Sequence, residues 1–91
     1  MVRGKTESGF SFKIDDEVRD DMELLENLTR MDAGETQLAP LILESLLGAE
    51  QKKKLYEHCR SEKGRVSATK VFAELKSIFE EINKSDDNTK N

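Results

Sequence analysis

Apolar residues recur along this chain with the spacing of helices, and they are densest at residues 38–47. As a helix, this stretch would be apolar around roughly 240° of its circumference. A helix that buries only one side needs little more than about 100° of apolar surface. The pattern therefore predicts a central helix, with Pro40 in its first turn and Gly48 at its end, that must be covered from more than one side.

Three further stretches have the periodicity of amphipathic helices. The first covers residues 15–33 and stops at Gly34, the third covers residues 49–62, and the fourth covers residues 67–82 with Ser67 as its N-terminal cap. Together with the central helix they predict an all-α fold, a small bundle of about four helices joined by short glycine-marked turns.

The same pattern divides the chain into three parts. Residues 1–14 are expected to form a flexible or extended arm, and residues 15–82 a single helical domain. Residues 83–91 contain no apolar residue and are expected to form a disordered tail.

The helical periodicity also predicts which residues form the core. We expect the central helix to turn Ile42 and Leu46 inward and to leave Leu43 and Leu47 at an accessible edge, where a partner can bind. The predicted core consists of Leu25, Leu28, Leu41, Ile42, Leu46, Leu55, Val71, Leu75, Ile78 and Phe79.

Phe10, Phe12 and Ile14 alternate with polar residues, which is the periodicity of a strand. No other segment alternates in this way, so this strand is expected to lack a partner within the chain. Two interpretations stay open: the phenylalanines dock on the helices, or the exposed strand edge pairs with another chain. In the second interpretation, Phe10 and Phe12 belong to a partner-binding surface.

The chain is acidic, with a formal net charge of −4. This charge disfavours nucleic acid or an anionic membrane as the main partner. Acidic residues concentrate in residues 15–26, whereas residues 50–65 are basic and include Lys52 and Lys53. We predict that the two segments attract each other, within one chain or between chains of a homo-oligomer, and that Lys52 and Lys53 contact acidic surfaces.

Few residues could support catalysis or bind a metal. His58 and Cys59 are neighbours and would point about 100° apart on a helix, so they cannot pair as base and nucleophile. Zinc needs about four ligands, and the acidic residues 15–26 lack the central glycine of a calcium-binding loop. We therefore predict a non-enzymatic protein with no catalytic residue, metal site or cofactor.

The apolar stretches are short compared with those of membrane proteins. None approaches the roughly 18 apolar residues of a membrane span. No apolar signal-peptide region follows the first residues. The sequence thus predicts a soluble, intracellular protein without a membrane partner.

Several stretches match a known family in residues and in order. They read Phe12-Lys-Ile-Asp-Asp-Glu-Val18, Asp20-Asp-Met-Glu-Leu-Leu-Glu26, Leu46-Leu-Gly-Ala-Glu-Gln51, Tyr56-Glu-His58, Gly64-Arg-Val66 and Ile78-Phe-Glu-Glu-Ile82. In these stretches the chain resembles the tail assembly chaperones of long-tailed bacteriophages and prophages of Gram-positive bacteria. These are small helical proteins encoded between the major tail protein and the tape measure protein.

The resemblance implies a non-enzymatic role in the cytoplasm of the bacterial host. There the protein would bind the long, helical tape measure protein and deliver it to the polymerising subunits of the tail tube. Two other functions stay open: a small structural or connector protein that remains in the virion, and a regulatory module that acts on a host protein or on DNA.

Overall fold

The computed structural model describes residues 1–89, and the side chains of residues 1–83. Within these residues the elements are the strands β1 (Val2–Lys5) and β2 (Ser11–Ile14), and the helices α1 (Asp16–Arg19), α2 (Met22–Asp32), α3 (Ala39–His58) and α4 (Ala68–Thr89). A short 3-10 turn, Thr36–Leu38, leads directly into α3. The two strands form an antiparallel sheet, so the fold is mixed and the all-α prediction is wrong.

The sheet is a hairpin made from the segment that was predicted to be an unpaired arm. β1 and β2 pair in a register that places Val2 opposite Ile14 and Gly4 opposite Phe12. Strand β1 was not predicted because Gly4 stands where an alternating strand pattern would place the next apolar residue after Val2. That glycine is required by packing, since a Cβ atom at Gly4 would lie 2.8 Å from Cζ of the Phe12 ring.

The hairpin belongs to the core. Phe10, Phe12 and Ile14 are buried, with β1 in contact with α4 and β2 in contact with α3. The outer edge of β2 is also engaged, because the Gln51 side chain accepts a hydrogen bond from the Lys13 amide (2.8 Å) and donates one to its carbonyl (2.7 Å). The docking interpretation of the two phenylalanines is thereby confirmed, and the hairpin supplies one of the surfaces that cover α3.

The first predicted helix is interrupted at two aspartates. Helix α1 ends at Arg19, and Asp21 caps α2 by accepting hydrogen bonds from the amides of Glu23 (2.9 Å) and Leu24 (3.2 Å). Short acidic side chains compete with the helical backbone in this way, which favours them at caps. Because α2 begins anew after the interruption, its side chains are rotated relative to those of one continuous helix. Leu24 is consequently buried, and Leu25, predicted to be core, is 54% exposed.

The central helix follows the predicted boundaries but not the predicted rotation. Gly48 has non-helical dihedral angles (φ 81°, ψ 163°) and breaks α3, which resumes and ends at His58, before the predicted end at residue 62. Leu41, predicted to be core, is 56% exposed, whereas Leu43 is fully buried. Because the stretch is apolar on most sides, its periodicity could not determine which side faces the hairpin.

Helix α4 begins as predicted. The Ser67 hydroxyl accepts a hydrogen bond from the Lys70 amide at 3.2 Å, as an N-terminal cap does. The preceding turn is closed by a bridge between Arg60 and Val66. Helix α4 continues to Thr89, past its predicted end at Ile82, because no proline or glycine interrupts the polar stretch that follows. The last two residues of the predicted tail, 90 and 91, lie outside the described residues.

Most of the predicted core is confirmed. Ile42, Leu46, Leu55, Val71, Leu75 and Ile78 are buried, while Leu28 and Phe79 are partly buried against them. The structure adds residues from the hairpin and from the other sides of the helices: Val2, Phe10, Phe12, Ile14, Leu24, Leu43, Leu47, Cys59 and Ile82. The core therefore lies between the hairpin, α3 and α4, with α2 covering α3 from the side.

Candidate functional site

The apolar residues that were predicted to bind a partner lie inside the protein. Leu43 is 0% exposed and Leu47 is 6% exposed, so the expectation that they form an accessible edge is wrong. Phe10 and Phe12, which belong to the hairpin, are also buried. Any surface that binds a partner must therefore be formed by other side chains.

The two lysines predicted to contact a partner differ in their surroundings. Lys52 is half-buried, with its Nζ 3.2 Å from Glu44 Oε1 and 5.7 Å from the centre of the Tyr56 ring. Lys53 is exposed on the same helix. The ion pair of Lys52 thus lies within α3, across the break at Gly48, and does not reach the acidic residues 15–26.

A cluster of polar side chains connects the hairpin turn to α3 and α4. The hydroxyl of Thr6 donates to Glu74 Oε1 and the hydroxyl of Ser8 donates to Glu74 Oε2, both at 2.6 Å. The Ser8 oxygen also lies 2.8 Å from His58 Nε2. Thr6 and Glu74 are buried, and a cavity of about 330 Å³ opens beside Ser8, His58 and Glu74.

The cluster contains serine, histidine and glutamate, but their order differs from that of a catalytic triad. In a triad the histidine lies between the serine and the acid, so that it can take the serine proton. Here the serine hydroxyl donates its hydrogen bond to the carboxylate of Glu74, and Ser8 lies between the histidine and the acid. This arrangement attaches the hairpin turn to the helices and does not activate the Ser8 oxygen.

The neighbouring thiol is also unreactive in this setting. Burial raises the pKa of Cys59, the negative charge of Glu74 raises it further, and Lys70 lowers it in part. A thiol reacts as the thiolate, so a raised pKa disfavours a nucleophilic role. Among the described residues, no group of three or more His, Cys, Asp or Glu side chains could hold a metal ion.

The structural role of the cluster leads to a test. Replacing Thr6 by valine removes the donor to Glu74 and the acceptor of the Phe10 amide (3.1 Å) without a large change in shape. Because a buried polar group without a partner costs about 1–3 kcal/mol, we expect Thr6→Val to lower the free energy of unfolding by that amount. The same substitution at exposed Thr69 should change it by less than about 0.5 kcal/mol in urea titrations. Equal effects at both positions would exclude this role.

An apolar groove lies between α2 and α4, and we name it the α2–α4 groove. Two adjoining cavities of about 310 and 500 Å³ form it, and they share Leu28, Phe79 and Asn83. Its apolar lining consists of Val18, Met22, Leu24, Leu25, Leu28, Met31, Leu46, Phe72, Leu75, Phe79 and Ile82. The start of α2 lies beside the end of this lining on α4, so the two walls run antiparallel.

The α2–α4 groove is open because α2 is attached mainly through its other side. Helix α2 contacts α3 and the 3-10 turn, and Leu24 is its one buried residue. Met22 and Leu25 are consequently 71% and 54% exposed on one wall, and Phe72 is 39% exposed on the other. Large apolar side chains that are grouped and exposed mark interaction surfaces in soluble domains.

The rim of the groove is mostly acidic. Asp20 and Asp21 lie at one end, together with Arg19, and Asp32 lies near the other end. Lys76 and Glu80 lie on the α4 side of that second end. The lining thus includes four acidic and two basic side chains, which gives this surface a formal charge of −2.

Comparison with known proteins does not assign the chain to a family. No family model, curated protein or solved structure matches it. Among the described residues, no helix combines the length and the apolar character needed to cross a membrane.

Proposed function

We propose that this protein is a non-enzymatic tail assembly chaperone that binds a helical segment of a phage tape measure protein in the α2–α4 groove. The observation that supports the proposal most directly is the exposure of Met22, Leu25 and Phe72 around an open apolar groove. Large apolar side chains that are grouped around an open groove are typical of interaction surfaces. A chaperone needs such a surface each time it binds a client.

The dimensions of the groove favour a helix as the bound segment. Its apolar wall on α4 extends from Phe72 to Ile82, which is about 15 Å at 1.5 Å per residue. A bound helix of about three turns would present apolar side chains at positions i, i+3 or i+4, and i+7 to this wall. Tape measure proteins are long and helical, so they offer many such segments.

The proposal places the protein in the cytoplasm of the bacterial host during tail assembly. Tail tube subunits would displace it as they polymerise around the tape measure protein, since a chaperone must release its client. An affinity in the micromolar range, about −8 kcal/mol, would allow such an exchange. A groove with three exposed apolar side chains is consistent with an interaction of that strength.

The test compares two leucines of equal exposure. Leu25 lines the groove at 54% exposure, whereas Leu41 lies outside it on α3 at 56% exposure. Full burial of one leucine side chain contributes about 1.5–3 kcal/mol, and about half of the Leu25 side chain remains to be buried, so we expect Leu25→Ser to weaken binding of the tape measure protein about 4- to 15-fold. Leu41→Ser should leave the affinity within about twofold, as measured by calorimetry with purified proteins.

Two results would contradict the proposal. One is the absence of any binding between the unmodified chain and the tape measure protein of the same phage. The other is the presence of this protein in mass spectra of purified virions in amounts comparable to tail proteins, which would favour the structural or connector function instead.

A further inference from the structure

We infer that the client segment carries lysine or arginine at both ends of its apolar face, so that the α2–α4 groove selects basic-flanked amphipathic helices. The inference rests on the proposed function and specifies its partner. It follows from the placement of Asp20, Asp21 and Asp32 on the rim of the groove.

The acidic side chains are available to a partner. Among the described residues, the carboxylates of Asp20 and Asp32 have no hydrogen-bond or ion-pair partner, and both residues are exposed. Asp21 uses its Oδ1 to cap α2, which leaves its second oxygen to the solvent or to a partner. Carboxylates that face solvent beside an apolar groove attract cationic flanks and repel anionic ones.

The distance between the acidic residues predicts the distance between the basic residues of the client segment. Asp21, the N-terminal cap of α2, and Asp32, its last residue, are eleven positions apart, or about 16 Å along the helix axis. A client helix that lies parallel or antiparallel to α2 would therefore place its basic residues about eleven positions apart. The apolar side chains between them would contact Leu25, Leu28 and Phe79.

A second copy of this chain fits the groove less well. In a symmetric dimer the same surface would meet itself, and the rim of formal charge −2 would face an identical rim. Like charges placed opposite each other disfavour such an interface. A separate chain with basic flanks has the complementary charge.

The experiment uses two designed peptides and two charge variants of the full chain. Each peptide is an amphipathic helix of about 15 residues with the same leucine face, flanked by lysines in one and by glutamates in the other. D20K/D32K reverses the charge of the rim and leaves the Asp21 cap intact. E50K/E62K makes the same change in net charge at exposed glutamates outside the groove.

We expect the unmodified chain to bind the lysine-flanked peptide about tenfold more tightly than the glutamate-flanked one at about 50 mM salt. The preference should reverse in D20K/D32K and persist in E50K/E62K. Circular dichroism of each variant establishes that the helices are retained.

The alternative outcomes separate this inference from the proposed function. Equal binding of both peptides, unchanged in D20K/D32K, would overturn the charge selection but leave the groove as a client site. Binding of neither peptide would overturn both. Dimerisation in sedimentation experiments that Leu25→Ser abolishes would assign the groove to a second copy and overturn the inference.

Discussion

Replacing Leu43 and Leu47 together by serine is expected to unfold this protein. Both side chains are buried in α3, Leu43 completely, between the elements that form the core. Removal of one buried leucine side chain costs about 2–5 kcal/mol, and the serine hydroxyls would have to be buried or paired. Because small domains are stable by only about 5–15 kcal/mol, the double variant should have little or no folded population at 25 °C.

Leu41→Ser is the matched control for this substitution. It makes the same chemical change in the same helix at a side chain that is 56% exposed, so the free energy of unfolding should fall by less than about 0.5 kcal/mol. Far-ultraviolet circular dichroism and thermal melting distinguish the two variants. A double variant that melts like the unmodified protein would show that Leu43 and Leu47 form an accessible edge after all.

The second large effect is expected at Phe12, where alanine should lower the free energy of unfolding by about 3–5 kcal/mol. The Phe12 side chain is 4% exposed, and its ring covers Gly4 on the opposite strand. Truncation would leave a cavity that Gly4, which has no side chain, cannot fill. Lys13→Ala, on the exposed face of the same strand, should have little effect in the same urea titrations.

A further test is which elements Phe12→Ala destabilises. If the hairpin is part of the core, Phe12→Ala should destabilise α3 and α4 together with the strands, and amide exchange should accelerate in all of them. Faster exchange confined to β1 and β2, with an unchanged melting temperature of the helices, would mean that the hairpin is an independent arm.

The elements that the sequence predicts correctly are the ones determined by local chemistry. Ser67 begins α4 and Gly48 interrupts α3, because a capping hydroxyl and a positive φ act within a few residues. Strand β1 depends instead on pairing with β2, where the Phe12 ring lies over Gly4. No local pattern in Val2–Lys5 could have indicated this contact.

The α2–α4 groove was not predicted from the sequence, because it too depends on how helices are placed relative to one another. Met22 and Leu25 belong to an apolar stripe, and such stripes normally face the core. Their exposure results from the interruption at Asp20 and Asp21, which resets the phase of α2, and from the open space between α2 and α4. The paired aspartates are a signal that could have predicted the interruption, because aspartate favours N-terminal caps.

The hydrogen bond from Thr6 to Glu74 joins residues 68 positions apart, and this separation has a consequence for how the protein is made. During translation the hairpin emerges early, but its partner on α4 does not yet exist. The apolar face of β1, and the side of α3 that packs against α4, remain uncovered until α4 has left the ribosome, since both contact α4. The nascent chain therefore completes its tertiary structure late, and synthesis rather than local helix formation sets the earliest moment at which the α2–α4 groove is complete.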